Sequence, residues 1–256
     1  MRLLESVKKQ LVEKVKEGTS ITQICKELKL SKATVYYYIK KIRGRKFPET
    51  KINVSDLEKI GELIGIFTGD GYFFFDKKDY RYYTFFFFSK KEKEYVNKFC
   101  NLLRLIINRY IYWYEYKNVN KIFIRVTSKK LNELIRKYVI WDEKQKRSYT
   151  IHLKNIDVLP GVFLIGFLRG LFDSDGYTYK DKREVNFVTI SSMLAHQVSE
   201  ILDILKIQSN IYVYRDRRGN RKKVYYVKVK SNNAEKFLHL IKPSNPNRYQ
   251  KWVNTG

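Results

Sequence analysis

The hydrophobic pattern of the first 46 residues predicts three short helices. Apolar residues recur at helical spacing over 3–17, and Gly18 is placed to end that helix. Ser20 then opens a second helix over 21–28. A tight connection at 29–31 leads to a third helix over 32–44, for which Ser31 is a good N-cap.

Beyond residue 56 a second hydrophobic pattern begins, and it occurs twice along the chain. The segments LIGIFTGDGY (63–72) and LRGLFDSDGY (168–177) each end an apolar helix. Each is followed by β-branched and aromatic runs that alternate with helical patterns, which cover 91–106 and 192–207. The order predicts an α+β fold made of two αββαββα repeats. The run from Phe85 to Phe88 predicts a strand buried on both faces, and RDRRGNRKK (215–223) predicts a hairpin tip.

These patterns divide the chain into five segments. The boundaries predicted are a helical domain over 1–46, a linker over 47–56, a first repeat over 57–142, a second linker over 143–158 and a second repeat over 159–256.

Composition and charge limit the kinds of partner that this protein can bind. The 256 residues include 52 Lys and Arg against 26 Asp and Glu, a formal net charge of +26. That surplus favours nucleic acid as the partner, although AT-rich coding also produces Lys-, Ile- and Tyr-rich chains. The aromatic share of 16% excludes a disordered chain. The charged N-terminus and the short longest apolar stretch (161–168) argue against export or a membrane span, so we expect a cytoplasmic protein.

Residues 17–43 resemble a helix-turn-helix of the kind found in recombinases and transcription regulators. In that motif the second helix enters the major groove of DNA. The resemblance implies DNA contacts from Lys32, Thr34, Tyr37 and Lys40. Lys29 stands in the turn where Gly is usual. A three-helix packing module or a protein-interaction domain is the alternative interpretation.

Paired glycines mark the two apolar helices that precede GDG and SDG. Gly61 and Gly65 lie four residues apart in the first helix, and Gly166 and Gly170 in the second. A Gly inside a helix costs about 1 kcal/mol relative to Ala, so the pattern predicts that two helix backbones approach closely. Such packing would make Asp70 and Asp175 neighbours at the helix ends. Close carboxylates repel each other, and a divalent cation relieves the repulsion, which suits phosphodiester hydrolysis.

These segments resemble the LAGLIDADG homing endonucleases, in the single-chain form with two pseudosymmetric repeats, over about residues 57–245. FLRGLFDSDG (167–176) is a close match, whereas LIGIFTGDG (63–71) has Thr68 where the family usually has Asp. Asp70 and Asp175 both match the eighth, metal-binding position. Asp173 is interpreted as a structural group. The resemblance implies two α/β halves whose antiparallel sheets form a saddle over DNA, and Mg²⁺-dependent cleavage of both strands. Mn²⁺ is expected to substitute, and Ca²⁺ to support binding without cleavage.

The family also places a basic residue near each active centre, at the end of the last strand of each repeat. Lys230 matches in the second repeat; its counterpart is Thr127, with Arg125 two residues earlier as a substitute. Other DNA contacts are expected from exposed basic residues, with a merely solvated hairpin as the alternative. They are Arg81, Arg183, Arg215, Arg217, Arg218, Arg221, Lys222 and Lys223.

Three functions follow from these predictions. The first is a sequence-specific, monomeric DNA endonuclease that acts on double-stranded DNA. The second is a non-catalytic regulator that pairs a LAGLIDADG-like domain with a helix-turn-helix. The third is an RNA-binding, maturase-like splicing factor. The two retained aspartates favour the endonuclease. A calcium loop starting at Asp173 lacks its required Gly, since Thr178 occupies that position, and a glycosidase would leave the charge unexplained.

Overall fold

The computed structural model divides into two structural units, residues 1–50 and 51–256, and the described part of the first contains three helices. The residues described are 4–17, 19–43, 51–179, 184–215 and 223–253. The helices are α1 (Glu5–Lys16), α2 (Ile21–Glu27) and α3 (Lys32–Arg43). Gly18, the predicted helix end, lies outside the described residues. Within them, no helix is long and apolar enough to cross a membrane.

Serine caps start the second and third helices as predicted. The Ser20 hydroxyl accepts a hydrogen bond from the Gln23 amide at 3.3 Å, and that of Ser31 accepts one from the Thr34 amide at 3.1 Å. Each bond satisfies an amide that the helix itself leaves unpaired. Lys29, in the turn between them, adopts a left-handed backbone with φ of 50°. The small core of this unit is formed by Leu11, Val15, Ile24 and Val35.

The second unit contains two αββαββα repeats, which confirms the predicted fold class. The first consists of α4 (Leu57–Asp70), β1 (Gly71–Asp76), β2 (Arg81–Ser89), α5 (Lys93–Ile107), β3 (Trp113–Glu115), β4 (Lys121–Thr127) and α6 (Lys129–Tyr138). A connection follows with β5 (Val139–Ile140), α7 (Arg147–Thr150) and β6 (His152–Leu153). The second consists of α8 (Gly161–Asp175), β7 (Gly176–Tyr179), β8 (Glu184–Thr189), α9 (Ser192–Ile204), β9 (Ser209–Tyr214), β10 (Val224–Val229) and α10 (Ser231–Ile241), and α11 (Pro246–Val253) comes after it.

The two large sheets share one antiparallel topology. Their strand orders are β1-β2-β4-β3 and β7-β8-β10-β9, so each strand has a counterpart in the other repeat. In each repeat the side chains on one face of the sheet join the helices in the core, and most side chains on the other, open face are partly or fully exposed.

Strand β2 alternates between these two faces. Phe86 and Phe88 are buried against the helices, whereas Phe85 and Phe87 are only partly buried on the open face. The prediction of a strand buried on both faces is therefore wrong. The reason is the one-sided packing of an antiparallel sheet, which leaves every second side chain accessible to solvent.

Candidate active site at the joined ends of two helices

The backbones of α4 and α8 pack directly against each other. A Cβ atom added to Gly65 would lie 2.1 Å from the carbonyl oxygen of Phe167, and one added to Gly166 would lie 2.0 Å from that of Glu58. These distances are far below van der Waals contact. The close approach predicted from the paired glycines is confirmed, and only glycine fits at these positions.

A partly buried ionic contact joins the two helices. Arg169 of α8 donates a hydrogen bond to the Glu62 carboxylate of α4 at 3.1 Å, and another to Glu58 one turn earlier. The single basic residue of α8 therefore has carboxylate partners, as a charge largely removed from water requires. The contact helps to hold the two helix C-termini at the same level.

Asp70 and Asp175 are the last residues of these helices, and both are half-buried. Burial, and after it the neighbouring Asp175 carboxylate, raise the pKa of Asp70 to about 7, although Arg248 and Arg147 act in the opposite direction. Burial also raises the pKa of Asp175 to about 6, again against Arg248 and Arg147. The sequence predicted that these carboxylates would be neighbours, and the structure brings them together.

This pair of carboxylates fits a magnesium ion. Mg²⁺ is usually held by one or two carboxylates, and water and substrate phosphates complete its shell. No group of three or more His, Cys, Asp or Glu side chains suited to a metal occurs in the part of the chain that the structure describes. Two carboxylates are a donor set that would leave coordination positions for water and a substrate.

Two arginines that the sequence reasoning missed lie at the helix ends. Arg147 of α7 donates hydrogen bonds to the carbonyl oxygens of Phe67 at 3.0 Å and Gly69 at 3.4 Å, at the end of α4. Burial lowers the pKa of Arg147 to about 10, against the opposite effect of Asp175 and Asp70.

Arg248 of α11 has the equivalent role at the end of α8. It donates hydrogen bonds to the carbonyl oxygens of Asp173, at 3.2 Å, and Ser174. Carbonyls at a helix C-terminus lack partners inside the helix and carry partial negative charge, so a guanidinium is favourable there. Each arginine follows the last helix of its repeat, but neither repeat offset aligns the two, so the sequence carried no clear signal for them.

The sixth motif position is structural in both repeats. The Thr68 hydroxyl donates a hydrogen bond to the Ile64 carbonyl oxygen of its own helix at 2.8 Å. The Asp173 carboxylate accepts hydrogen bonds from the backbone amides of Ser244 and Asn245, each at 3.0 Å. Thr68 stands where the family usually has Asp, but this change leaves the pair Asp70 and Asp175 intact.

The cross-strand register agrees with the sequence alignment and draws attention to a different pair of basic residues, Arg125 and Lys228. In the first sheet, the row of paired residues next to Gly71 contains Tyr72, Phe85 and Arg125 on three neighbouring strands. The equivalent row of the second sheet contains Tyr177, Asn186 and Lys228. Lys228 is therefore the counterpart of Arg125, and it forms an ion pair with Glu184.

Lys230 and Thr127 lie two residues further along their chains. Lys230 is exposed at the N-cap of α10, after the end of β10. The structure therefore places Lys230 two positions further from the aspartates than Lys228. The offset that aligned Lys230 with Thr127 also aligns Lys228 with Arg125, and it was the signal for this residue.

The predicted DNA-contacting residues occupy several places. In α3, Lys32, Tyr37 and Lys40 are exposed, and the Thr34 hydroxyl lies 2.9 Å from that of Ser31. Three further candidates are exposed in the second unit, namely Arg81, Arg215 and Lys223. The remaining candidates lie outside the described residues: Arg183, Arg217, Arg218, Arg221 and Lys222.

Comparisons with known proteins agree with both parts of this architecture. Residues 163–242 match the family model of a LAGLIDADG-like domain, and residues 6–41 match that of the helix-turn-helix domain of resolvase. The uncharacterized protein MJ0398 of Methanocaldococcus jannaschii is 25% identical over 211 residues, which span 79% of this chain and 71% of that protein.

Solved structures share the fold of the second unit. The homing endonuclease I-DmoI, in a study of its mesophilic variants, matches with a TM-score of 0.55 and 21% identity over 73% of this chain and 97% of its own. The homing endonuclease I-WcaI bound to its DNA recognition sequence matches with a TM-score of 0.53 and 18% identity, over 80% of this chain and 88% of its own. Identities this low establish the shared fold.

Proposed function

We propose that this protein, which joins a helix-turn-helix to a LAGLIDADG homing-endonuclease fold, is a Mg²⁺-dependent, sequence-specific endonuclease that cleaves both strands of DNA. The observation that carries the proposal is the pair of half-buried aspartates, Asp70 and Asp175, at the joined ends of α4 and α8. Their raised pKa values indicate carboxylates that a cation would stabilise in the charged form. The formal charge of +26 favours a polyanionic substrate.

Asp70 and Asp175 are the residues that would hold Mg²⁺. The ion, when bound, supplies charge stabilisation at the scissile phosphate and a source of hydroxide at neutral pH. The two carboxylates release their protons when they bind the cation, so binding should strengthen as pH rises through about 6 to 7. Arg147 and Arg248 hold the helix ends in place and favour the charged carboxylates.

Arg125 and Lys228 supply the phosphate contacts in this proposal. They occupy equivalent rows of the two sheets, so one cation is available for each DNA strand. An arginine grips a phosphate through two donors, whereas a lysine acts as a point charge. Because Lys228 is paired with Glu184, the substrate would have to compete for it. The exposed residues of α3, Lys32, Tyr37 and Lys40, would extend the contact with DNA.

A second candidate is a DNA-binding regulator that does not cleave. It is favoured by the match of residues 6–41 to a resolvase helix-turn-helix domain and by the neutralised Lys228. Both candidates bind specific DNA, and cleavage separates them.

The test selects genomic DNA fragments bound in Ca²⁺ and then replaces Ca²⁺ with Mg²⁺ and maps new ends. We expect paired breaks a few bases apart at one recurring sequence. Asp70→Asn and Asp175→Asn should keep binding and lose double-strand cleavage, whereas Asp203→Asn, an exposed carboxylate on α9, should behave like the native protein. Full cleavage by both site variants would refute the proposal, and specific binding without breaks would favour the regulator.

A further inference from the structure

The two sheets place their equivalent cations next to different partners. Arg125 on β4 and Lys228 on β10 occupy matching rows. The neighbouring strand of each sheet supplies the side chain beside the cation, which is Tyr83 in the first sheet and Glu184 in the second. Each of these partners lies two residues before the strand position that faces the cation. One position of the repeated fold thus carries a ring in the first sheet and a carboxylate in the second.

These partners leave the two cations with different charges to offer. The exposed Arg125 guanidinium lies 5.8 Å from the ring centre of Tyr83. A ring attracts a cation through its quadrupole and leaves the net charge in place. Lys228 instead forms an ion pair with the Glu184 carboxylate. Arg125 therefore keeps its charge for a phosphate, whereas the charge of Lys228 is already balanced.

Partial burial makes the Lys228–Glu184 pair harder to displace than an ion pair at the surface. Only 32% of the Lys228 side chain and 17% of the Glu184 side chain are exposed. Fully exposed pairs contribute little because water screens them, and less water reaches this one. A phosphate that approaches Lys228 also meets the like charge of Glu184. Glu184 therefore opposes DNA in two ways, because it occupies the lysine and repels the phosphate.

A buried amide beside this pair lacks a hydrogen bond. Asn186 stands directly opposite Lys228 and is only 4% exposed. Its side-chain nitrogen has no hydrogen-bond partner within the described residues. A buried donor without an acceptor is unfavourable. Side chains that face each other across two strands lie close together, so movement of Lys228 to a phosphate would open this donor to water or to an acceptor on DNA.

We propose that Glu184 holds Lys228 back from the DNA backbone, so that the two strands are cut one after the other. The first sheet, where Tyr83 leaves the charge of Arg125 in place, engages its phosphate without competition. The strand that depends on Lys228 is cut second. Glu184 is then a positioning residue that acts through Lys228. The order of cutting rests on the proposed function, whereas the restraint on Lys228 can be measured by binding alone.

The salt dependence of duplex binding tests the restraint. The affinity of the full chain for a fluorescent duplex is measured in Ca²⁺ over a range of KCl concentrations. Glu184→Gln removes the charge and keeps the shape, so Lys228 gains one phosphate contact and the slope of log K against log salt should steepen by about 0.9. Adding Lys228→Gln should abolish that gain. Glu133→Gln, which removes an exposed ion-paired carboxylate of α6, is the matched control and should leave the slope unchanged.

Strand-specific cleavage tests the consequence. A target duplex carries a different fluorophore on each strand, and Mg²⁺ starts the reaction. We expect the native protein to cut one strand faster than the other. Glu184→Gln should raise the slower rate roughly 3- to 5-fold, the effect of removing one competing ion pair, and leave the faster rate unchanged. Tyr83→Glu gives the first sheet the carboxylate of the second and should lower the faster rate by a similar factor.

Four results would overturn the inference. They are an unchanged salt slope in Glu184→Gln, an equal steepening in Glu133→Gln, a gain that persists without Lys228, and native strand rates that are equal or that rise together in Glu184→Gln. Thermal unfolding checks that each variant is folded, and the near-isosteric Glu184→Gln decides if Tyr83→Glu is not. A native protein that binds duplex DNA without cutting it would refute the proposed function, and the salt slopes would still decide whether Glu184 restrains Lys228.

Discussion

Replacing Gly65 by alanine should destabilise the protein by pushing its two central helices apart. The added Cβ would lie 2.1 Å from the Phe167 carbonyl oxygen and 2.6 Å from the Leu171 amide nitrogen. Packed heavy atoms sit about 3.5 Å apart, so α4 and α8 would have to separate by roughly 1.4 Å. The clash is with backbone on both sides, and no change of rotamer relieves it.

The magnitude follows from two opposing effects. Overpacking a core costs about 1–3 kcal/mol and occasionally more, whereas Gly→Ala inside a helix gains about 1 kcal/mol. A contact with rigid backbone belongs at the upper end, so we expect a net loss of roughly 2 kcal/mol. For a unit of this size that loss corresponds to a fall in Tm of roughly 4–8 °C.

Thermal unfolding followed by circular dichroism measures this change, and Gly161→Ala is the matched control. Gly161 is likewise a helical glycine, in α8, but a Cβ there has no neighbour within 4 Å. The control should therefore be neutral or slightly more stable. If Gly65→Ala melts at or above the native temperature, the backbones do not touch and the close approach of Asp70 and Asp175 loses its support.

Three further predictions concern the site and the sheets. Arg147→Ala should lower the free energy of unfolding by about 1–3 kcal/mol, because helix-end carbonyls lose their donor; urea denaturation measures this, and full stability would contradict the capping role. Asp70→Asn should stabilise the metal-free protein at pH 8 by up to roughly 1.4 kcal/mol for each unit by which folding raises the pKa of Asp70. The folded state keeps a proton up to about pH 7 that the unfolded state releases near 3.8, so native stability falls as pH rises between these values. The advantage of the variant should accordingly vanish near pH 4, and a gain independent of pH would show another cause. Phe86→Ala should cost about 3–5 kcal/mol and Phe87→Ala much less; equal losses in urea denaturation would refute the one-sided packing of β2.

The elements with strong local signals were predicted best. The two apolar helices with paired glycines, the serine caps and the aromatic strands all follow from spacing and propensity, which act over a few residues. Predicted helix ends differ by a few positions. For example, a helix is predicted over 192–207, but the observed helix ends at Ile204. Such ends depend on capping and fraying, which a periodic pattern records weakly.

The site was predicted in part. The proximity of Asp70 and Asp175 followed from the glycines, because glycines four apart on apolar helices imply that the helices pack through that face. Arg147 and Arg248 were missed, because each reaches a helix end more than 70 positions away along the chain. No local pattern specifies a partner at that separation.

By itself, therefore, the sequence determined the repeated architecture, the helical first unit and the pairing of the two aspartates, since each depends on residue types at short, regular spacing. Only the tertiary structure decided which arginines hold the helix ends, that Lys228 is paired with Glu184, and that alternate phenylalanines of β2 face outward. The physical reason is that these features depend on strand register and on one-sided packing of the sheets. Both are set by contacts between segments distant in sequence, where hydrophobic burial and backbone pairing are optimised together.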